Sequence, residues 1–200
     1  IFSPEYFEKL SDVKMPATKL ELLVKMLRKQ IKEYGKVNQV ASKTFQELLE
    51  KTLEEYNERR KHLSEEEAGE TQEKASEDII KTATEQALSI LSQMNESRES
   101  FRKIGLTFEE KAFYDILKAV SKKFEFEYPD DKMIELSKRI KLIVDDKSRY
   151  TDWSARDDIK ANLQVDLILL LDEFGYPPVT IDDVYKEVLE QAENFKKYAN

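Results

Sequence analysis

Two aspartate doublets, Asp145-Asp146 and Asp157-Asp158, are the obvious carboxylate pairs for acid–base work in this chain. Such work requires both groups to converge on one reacting bond or proton. Adjacent positions on a helix project about 100° apart, so the doublets are expected to charge or cap helix ends instead. A phosphate-cradling loop needs G-x-x-x-x-G-K-[ST], because N–H groups freed by glycine must wrap the phosphates. Gly35, Gly69, Gly105 and Gly175 lie too far apart to build it. His62 is the only histidine and there is no cysteine. That excludes a zinc site of usual composition and any disulfide framework, and His62 is expected as a solvated side chain. We expect no catalytic residue, no metal and no cofactor within these residues.

The charges suit binding better than catalysis. Net charge is -8 over 200 residues, with 37% of them charged. Lys14, Lys19, Lys25, Arg28, Lys29, Lys32 and Lys36 nevertheless face only Glu21 and Glu33, whereas the segment from Glu47 to Asp78 is strongly acidic. An acidic protein repels DNA at long range, so a phosphate contact must come from a local basic face. Lys25, Arg28, Lys29 and Lys32 are the candidate contacts to a partner or to DNA; the plainer reading is a solvated amphipathic face, since no aromatic residues are interleaved to stack bases. Trp153 and Arg156 are the other candidates, one turn apart at the start of a helix. They read either as a cation–π or partner-binding pair, or as ordinary helix-start chemistry. In the second case Trp153 is a hydrophobic staple and Arg156 answers Asp145, Asp146 or Asp152.

The elements that must position these groups are helices. Apolar residues recur with helical period at Leu20, Leu23, Val24, Leu27 and Ile31, and again at Phe113, Ile116, Leu117 and Val120. Ser3-Pro4 pairs a capping serine with a proline at the first helical position, Thr107-x-x-Glu110 is a capping box, and Thr180-x-x-Asp183 approximates one. Gly35, Gly105 and Gly175 follow periodic segments as left-handed stops do. The expected helices span 4–11, 17–34, 38–63, 74–104, 108–124, 131–145, 154–174 and 181–198, with ends good to about two to four residues. Phe124 to Tyr128 alternates only briefly and reads as an extended connector into Pro129. The fold class is all-α, an irregular multi-helix bundle with a long antiparallel helical hairpin. Acidic residues near 64–73 should form a mobile linker. They lie within an N-terminal helical arm (1–105) that precedes a C-terminal helical block (106–200), the two forming one continuous helical domain of a larger subunit. Ile1 in place of methionine is consistent with such a piece, as is the absence of a signal segment. No apolar run approaches the roughly 20 residues that span a bilayer.

Three segments share one resemblance. Thr151-Asp-Trp-Ser-Ala-Arg-Asp-Asp-Ile-Lys-Ala-Asn-Leu-Gln-Val-Asp-Leu-Ile-Leu-Leu-Leu171 with Gly175-Tyr-Pro-Pro178 combines a polar-aromatic start, an apolar helix and a hard stop. With Leu106-Thr-Phe-Glu-Glu-Lys-Ala-Phe-Tyr-Asp115 and Val188-Leu-Glu-Gln-Ala-Glu193, it resembles the C-terminal region of the R subunit of type I restriction-modification enzymes. The order and spacing of the three blocks carry the likeness; the first hundred residues match more loosely. The resemblance implies a bacterial cytoplasmic parent with an N-terminal nuclease and an ATP-driven motor, so ATP and Mg belong to that parent. A nuclease of that type needs a Pro-Asp and an acidic-x-Lys element on neighbouring strands. Pro129-Asp130 and Asp130-Asp131-Lys132 imitate those letters but overlap, so one turn cannot present both halves; Asp130 reads instead as a helix N-cap. The implied partners are the methyltransferase and specificity subunits, with DNA met through the parent complex and no membrane; the 200 residues alone should be monomeric. Tethering the motor and nuclease to the methyltransferase–specificity core is the leading function, and direct contact with the DNA backbone during translocation is the alternative.

Overall fold

The computed structural model describes residues 15–65, 70–149, 153–177 and 181–198. Among them are seven α-helices and no strand: α1 (Pro16–Gly35), α2 (Gln39–Glu65), α3 (Glu70–Lys103), α4 (Phe108–Lys123), α5 (Asp130–Lys147), α6 (Asp157–Glu173) and α7 (Ile181–Tyr198), with a 3-10 turn at Trp153–Ala155. The all-α class holds. The helix expected at 4–11, the Ser3-Pro4 cap and Thr180 lie outside the described residues. Contacts divide the chain into two units, one of residues 1–33 and 43–97, the other of 34–42 and 98–200.

In the first unit, α1 buries Leu20, Leu23, Met26, Leu27 and Ile31 on one face. Phe45 and Leu49 of α2 and Ala83, Ala87, Ile90, Leu91 and Met94 of α3 are buried as well. The spacing of three and four residues along each helix is what turns these side chains onto one stripe. α2 and α3 form the antiparallel hairpin: Gln72 Nε2 donates to Leu63 O at 2.8 Å, and farther from the turn Gln86 Nε2 donates to Glu55 Oε2 at 3.2 Å. Of the acidic stretch, Ser64 and Glu65 lie inside α2 and Glu70 to Glu73 inside α3, while 66–69 lie outside the described residues. Gln72 supplies a donor to a carbonyl that the end of α2 would otherwise leave to water.

The core of the second unit comes from Phe113, Ile116 and Leu117 of α4, Leu136 and Ile140 of α5, Leu163, Leu167 and Leu171 of α6, and Val184 and Val188 of α7. Thr107 opens α4 with the expected capping box: its Oγ1 accepts from Glu110 N at 3.2 Å, and its own N–H donates to Glu110 Oε2 at 2.6 Å. Gly105 (φ 69°) and Gly175 (φ 63°) are the left-handed stops that were expected. After each, the next N–H reaches five residues back, Leu106 to Phe101 O at 3.0 Å and Tyr176 to Leu171 O at 2.8 Å. Gly35 is different, because it is the last helical residue of α1 and has no left-handed backbone. A Cβ there would lie 2.8 Å from Ser42 Oγ, so close approach is what requires glycine. Glu125 (φ 54°) takes the left-handed position after α4, with Phe126 N donating to Ser121 O at 3.1 Å. The connector beyond it is irregular backbone from Phe126 to Pro129, with Phe126 and Tyr128 packed edge-on against Tyr176.

The turn between α1 and α2 is tied to this second core by side chains. Asn38, fully buried, accepts from Ala41 N at 2.9 Å and so caps α2. Gln191 of α7 accepts from Gln39 N at 3.0 Å and donates to Val37 O at 2.9 Å. Asn194 donates to Gly35 O and Lys36 O at 2.8 and 2.9 Å.

Candidate functional site

The six expected binding residues fall into two groups, one in each unit. Lys25, Arg28, Lys29 and Lys32 are exposed along α1, on the side away from its buried stripe of Leu23, Leu27 and Ile31. Among the described residues none of the four forms an ion pair. Lys25 and Arg28 also line a groove of about 450 Å³ with Tyr56, Asn57 and Arg60 of α2. Arg60 Nη1 donates to Tyr56 Oη at 3.3 Å and its guanidinium lies 5.7 Å from the ring centroid. Tyr56 is the aromatic companion that the sequence lacked around the basic helix. It sits 28 positions from Arg28, a spacing that no linear motif covers.

Trp153 and Arg156 do not form an exposed couple. Trp153 is fully buried in the second core. The helix expected from 154 begins at Asp157, because the 3-10 turn occupies Trp153–Ala155 and Arg156 takes the N-cap position, with its N–H donating to Trp153 O at 3.2 Å. Arg156 answers neither Asp145, which pairs with Lys141, nor Asp146, which pairs with Arg149 at 3.4 Å. It makes a fork onto Asp158, Nε to Oδ1 at 3.1 Å and Nη2 to Oδ2 at 2.6 Å. That fork, helped by the backbone at the start of α6, holds the Asp158 carboxyl below its ordinary value. Asp152 lies outside the described residues.

The nuclease-like letters occupy a single turn. Pro129, not Asp130, is the N-cap of α5, so Asp130, Asp131 and Lys132 are its first three residues, and all three are exposed. Proline supplies no side-chain acceptor, and Asp130 serves another group instead. Tyr114 Oη donates to Asp130 Oδ1 at 3.0 Å, and Lys118 Nζ donates to Tyr114 Oη at 3.0 Å. Burial pushes the Tyr114 hydroxyl above its usual range, so it keeps its proton and is no base. The hydrogen bond to Tyr114 raises Lys118 in turn. Among the described residues no cluster of acids and histidine is arranged to hold a metal ion, and His62 is exposed in the last turn of α2. No described helix is long and apolar enough to cross a membrane.

What sequence reading missed is an apolar outer face in the second unit. α6 carries large apolar side chains on both sides: Leu163, Leu167 and Leu171 point into the core, while Val165 and Leu169 are 53% and 62% exposed. On neighbouring α5, joined to α6 by Lys147–Asp166 at 2.7 Å, Leu142 is 62% exposed. Large apolar side chains on the outer face of a helix often mark a contact surface; among the described residues none covers Val165 or Leu169. The signal was available in Val165-Asp-Leu-Ile-Leu-Leu-Leu171, a run too continuous for one buried stripe.

The sequence itself matches known proteins. Residues 1–198 match the family described as type I restriction enzyme HindI endonuclease subunit-like, C-terminal. A Methanocaldococcus jannaschii protein, described as a type I restriction enzyme MjaIXP endonuclease subunit, is 22% identical over 203 aligned positions, which take in 97% of this chain and 17% of that protein. No solved structure matches. Because one family spans the chain nearly from end to end, the chain belongs to the C-terminal regions of HindI-like type I restriction enzyme endonuclease subunits.

Proposed function

We propose that this chain is the helical assembly region of its endonuclease subunit. In this reading it tethers an ATP-dependent translocase and nuclease to the methyltransferase–specificity core during cleavage of foreign DNA. The observation that carries the reading is the exposed apolar pair Val165 and Leu169 on the outer side of α6, with Leu142 exposed on neighbouring α5. Isolated exposed apolar side chains are ordinary, but Val165 and Leu169 on successive turns of a helix whose opposite side is core make a surface suited to a partner. The exposed cations of α1, in the other unit, act on encounter with an acidic partner, since charges outside a buried anchor set association rate and salt sensitivity while the anchor sets dissociation. Direct duplex contact by this chain draws less support, because a net charge of -8 opposes it at long range. Catalysis, ATP and Mg are assigned to other parts of the parent subunit, since a curated relative is about six times as long as this chain.

The test is assembly kinetics of the parent subunit with the methyltransferase–specificity core, with DNA absent. Val165→Asp with Leu169→Asp should accelerate dissociation at least about tenfold, as loss of a buried apolar anchor does. Arg28→Glu with Lys29→Glu should slow association and flatten its salt dependence. Unchanged dissociation in the first variant would refute the docking face.

A further inference from the structure

The groove of the first unit has a composition that the docking face does not explain. Its walls carry Lys25 and Arg28 from α1 and Arg60 from α2, with Tyr56, Asn57 and Glu21 between them. Leu20, Val24 and Leu53 supply apolar surface among them. Lys25 and Arg28 are three residues apart, and Tyr56 and Arg60 four apart, so each pair sits on consecutive turns of its own helix. The groove's volume of about 450 Å³ falls within the range of sites that enclose small organic groups.

We propose that this groove binds single-stranded nucleic acid. Phosphates meet Lys25, Arg28 and Arg60, and an unstacked base lies against Tyr56 and the apolar lining. Aromatic rings combined with cations are the usual platform for single strands, because every base has a π-face and every nucleotide a charge. A duplex would engage the cations but keep its bases stacked, leaving Tyr56 and the apolar lining idle. An acidic peptide would also use the cations, but its carboxylates, like phosphates, must avoid Glu21, and it has no flat uncharged group to place there and against Tyr56. A base suffers no such conflict: the Glu21 carboxylate accepts from an exocyclic amino group, and the Asn57 amide can pair with a base edge. The chain's overall negative charge confines the binding to this local basic patch, and the phosphate contacts make it salt-dependent. These residues differ from those of the apolar docking face, so either reading can fail alone.

The experiment is fluorescence anisotropy of the 200-residue chain with a fluorescein-labelled mixed-sequence oligonucleotide of roughly eight nucleotides, within the span of known single-strand sites. The same sequence as a duplex and a polyglutamate competitor are run alongside. The single strand should bind, with log affinity falling against log salt at a slope of about -2 for three phosphates. Tyr56→Leu keeps the side-chain bulk and removes the aromatic face, and should weaken binding at least about fivefold, the low end of a lost stack. Arg28→Ala and Arg60→Ala should each shallow the salt slope by about 0.7. Lys51→Ala, exposed on α2 outside the groove, should change nothing. Absence of single-strand binding, duplex binding of equal strength, displacement by polyglutamate, or an unchanged affinity in Tyr56→Leu would each overturn the proposal.

Discussion

Asn38 donates from Nδ2 to Asp115 Oδ2 across 2.7 Å, joining the turn after α1 to the middle of α4 over 77 positions of sequence. The other oxygen of Asp115 holds Lys111, itself nearly buried, one turn back on the same helix. The carboxylate is thus shared between a cation and an amide. A buried charge is tolerable only with such satisfaction.

Replacing Asn38 separates its two duties. Asn38→Ala loses the cap of α2 and a buried partner of Asp115, and should cost about 2–3 kcal/mol. Asn38→Asp keeps an excellent capping oxygen but sets a second carboxylate against Asp115, and should be no more stable than the alanine variant at neutral pH. Urea denaturation of both variants decides the matter; an aspartate as stable as asparagine would mean that only the cap counts.

Left-handed backbone should govern two further substitutions, in opposite directions. Gly175→Val puts a β-branched side chain at φ 63°, with open space around it, so strain alone should cost more than about 1 kcal/mol. Glu125 bears that strain already at φ 54°, so Glu125→Gly should gain about 0.5–1 kcal/mol. Thermal melts that move both variants the same way would contradict this.

Alkaline pH should destabilise the chain. Burial raises the hydroxyl of Tyr176, with the nearby Tyr128 adding to it, and burial also raises Tyr128, Tyr114 and Tyr185. A tyrosine whose folded value is raised stabilises fully below its unfolded value of about 10, and that contribution is lost as pH rises past it. Denaturation midpoints should therefore stay level from neutral pH to about 9 and fall above about 10. Tyr176→Phe removes the 2.7 Å bond to Leu117 O, so it should cost about 1–3 kcal/mol at neutral pH while softening the alkaline decline. A decline as steep in the variant would move the effect to the other tyrosines.

No nuclease or ATPase activity is expected from the 200 residues alone, with or without a divalent metal. Asp130, Asp131 and Lys132 occupy one helical turn, and Asp130 is engaged by Tyr114. Reproducible DNA cleavage that Asp131→Ala abolishes would reverse this expectation.

Helix identity was legible wherever one local device set it. Thr107 with Glu110, Gly105 and Gly175 all behave as their letters suggested, since caps and left-handed stops are decided within a single turn. The letters misled where tertiary demands reused them. Gly35 answers to the approach of Ser42, Glu125 does a glycine's work, and Pro129 displaces Asp130 from the cap. Arg156 forks onto Asp158, two residues away, while Asp145 and Asp146 pair with Lys141 and Arg149. The basic face of α1 was visible from its charges, whereas its meeting with Tyr56 and Arg60 was not, because a groove between helices has no periodicity of its own.

The bonds from Gln191 and Asn194 to residues 35–39 cross more than 150 positions of chain. During synthesis, the carbonyls of Gly35, Lys36 and Val37 must therefore wait for α7 to leave the ribosome, seconds after α1 itself emerges at ordinary elongation rates of about 5–20 residues per second. The nascent turn spends that interval with those carbonyls hydrated, and a ribosome stalled before residue 191 would present a chain in which this bend still lacks its bonds to α7.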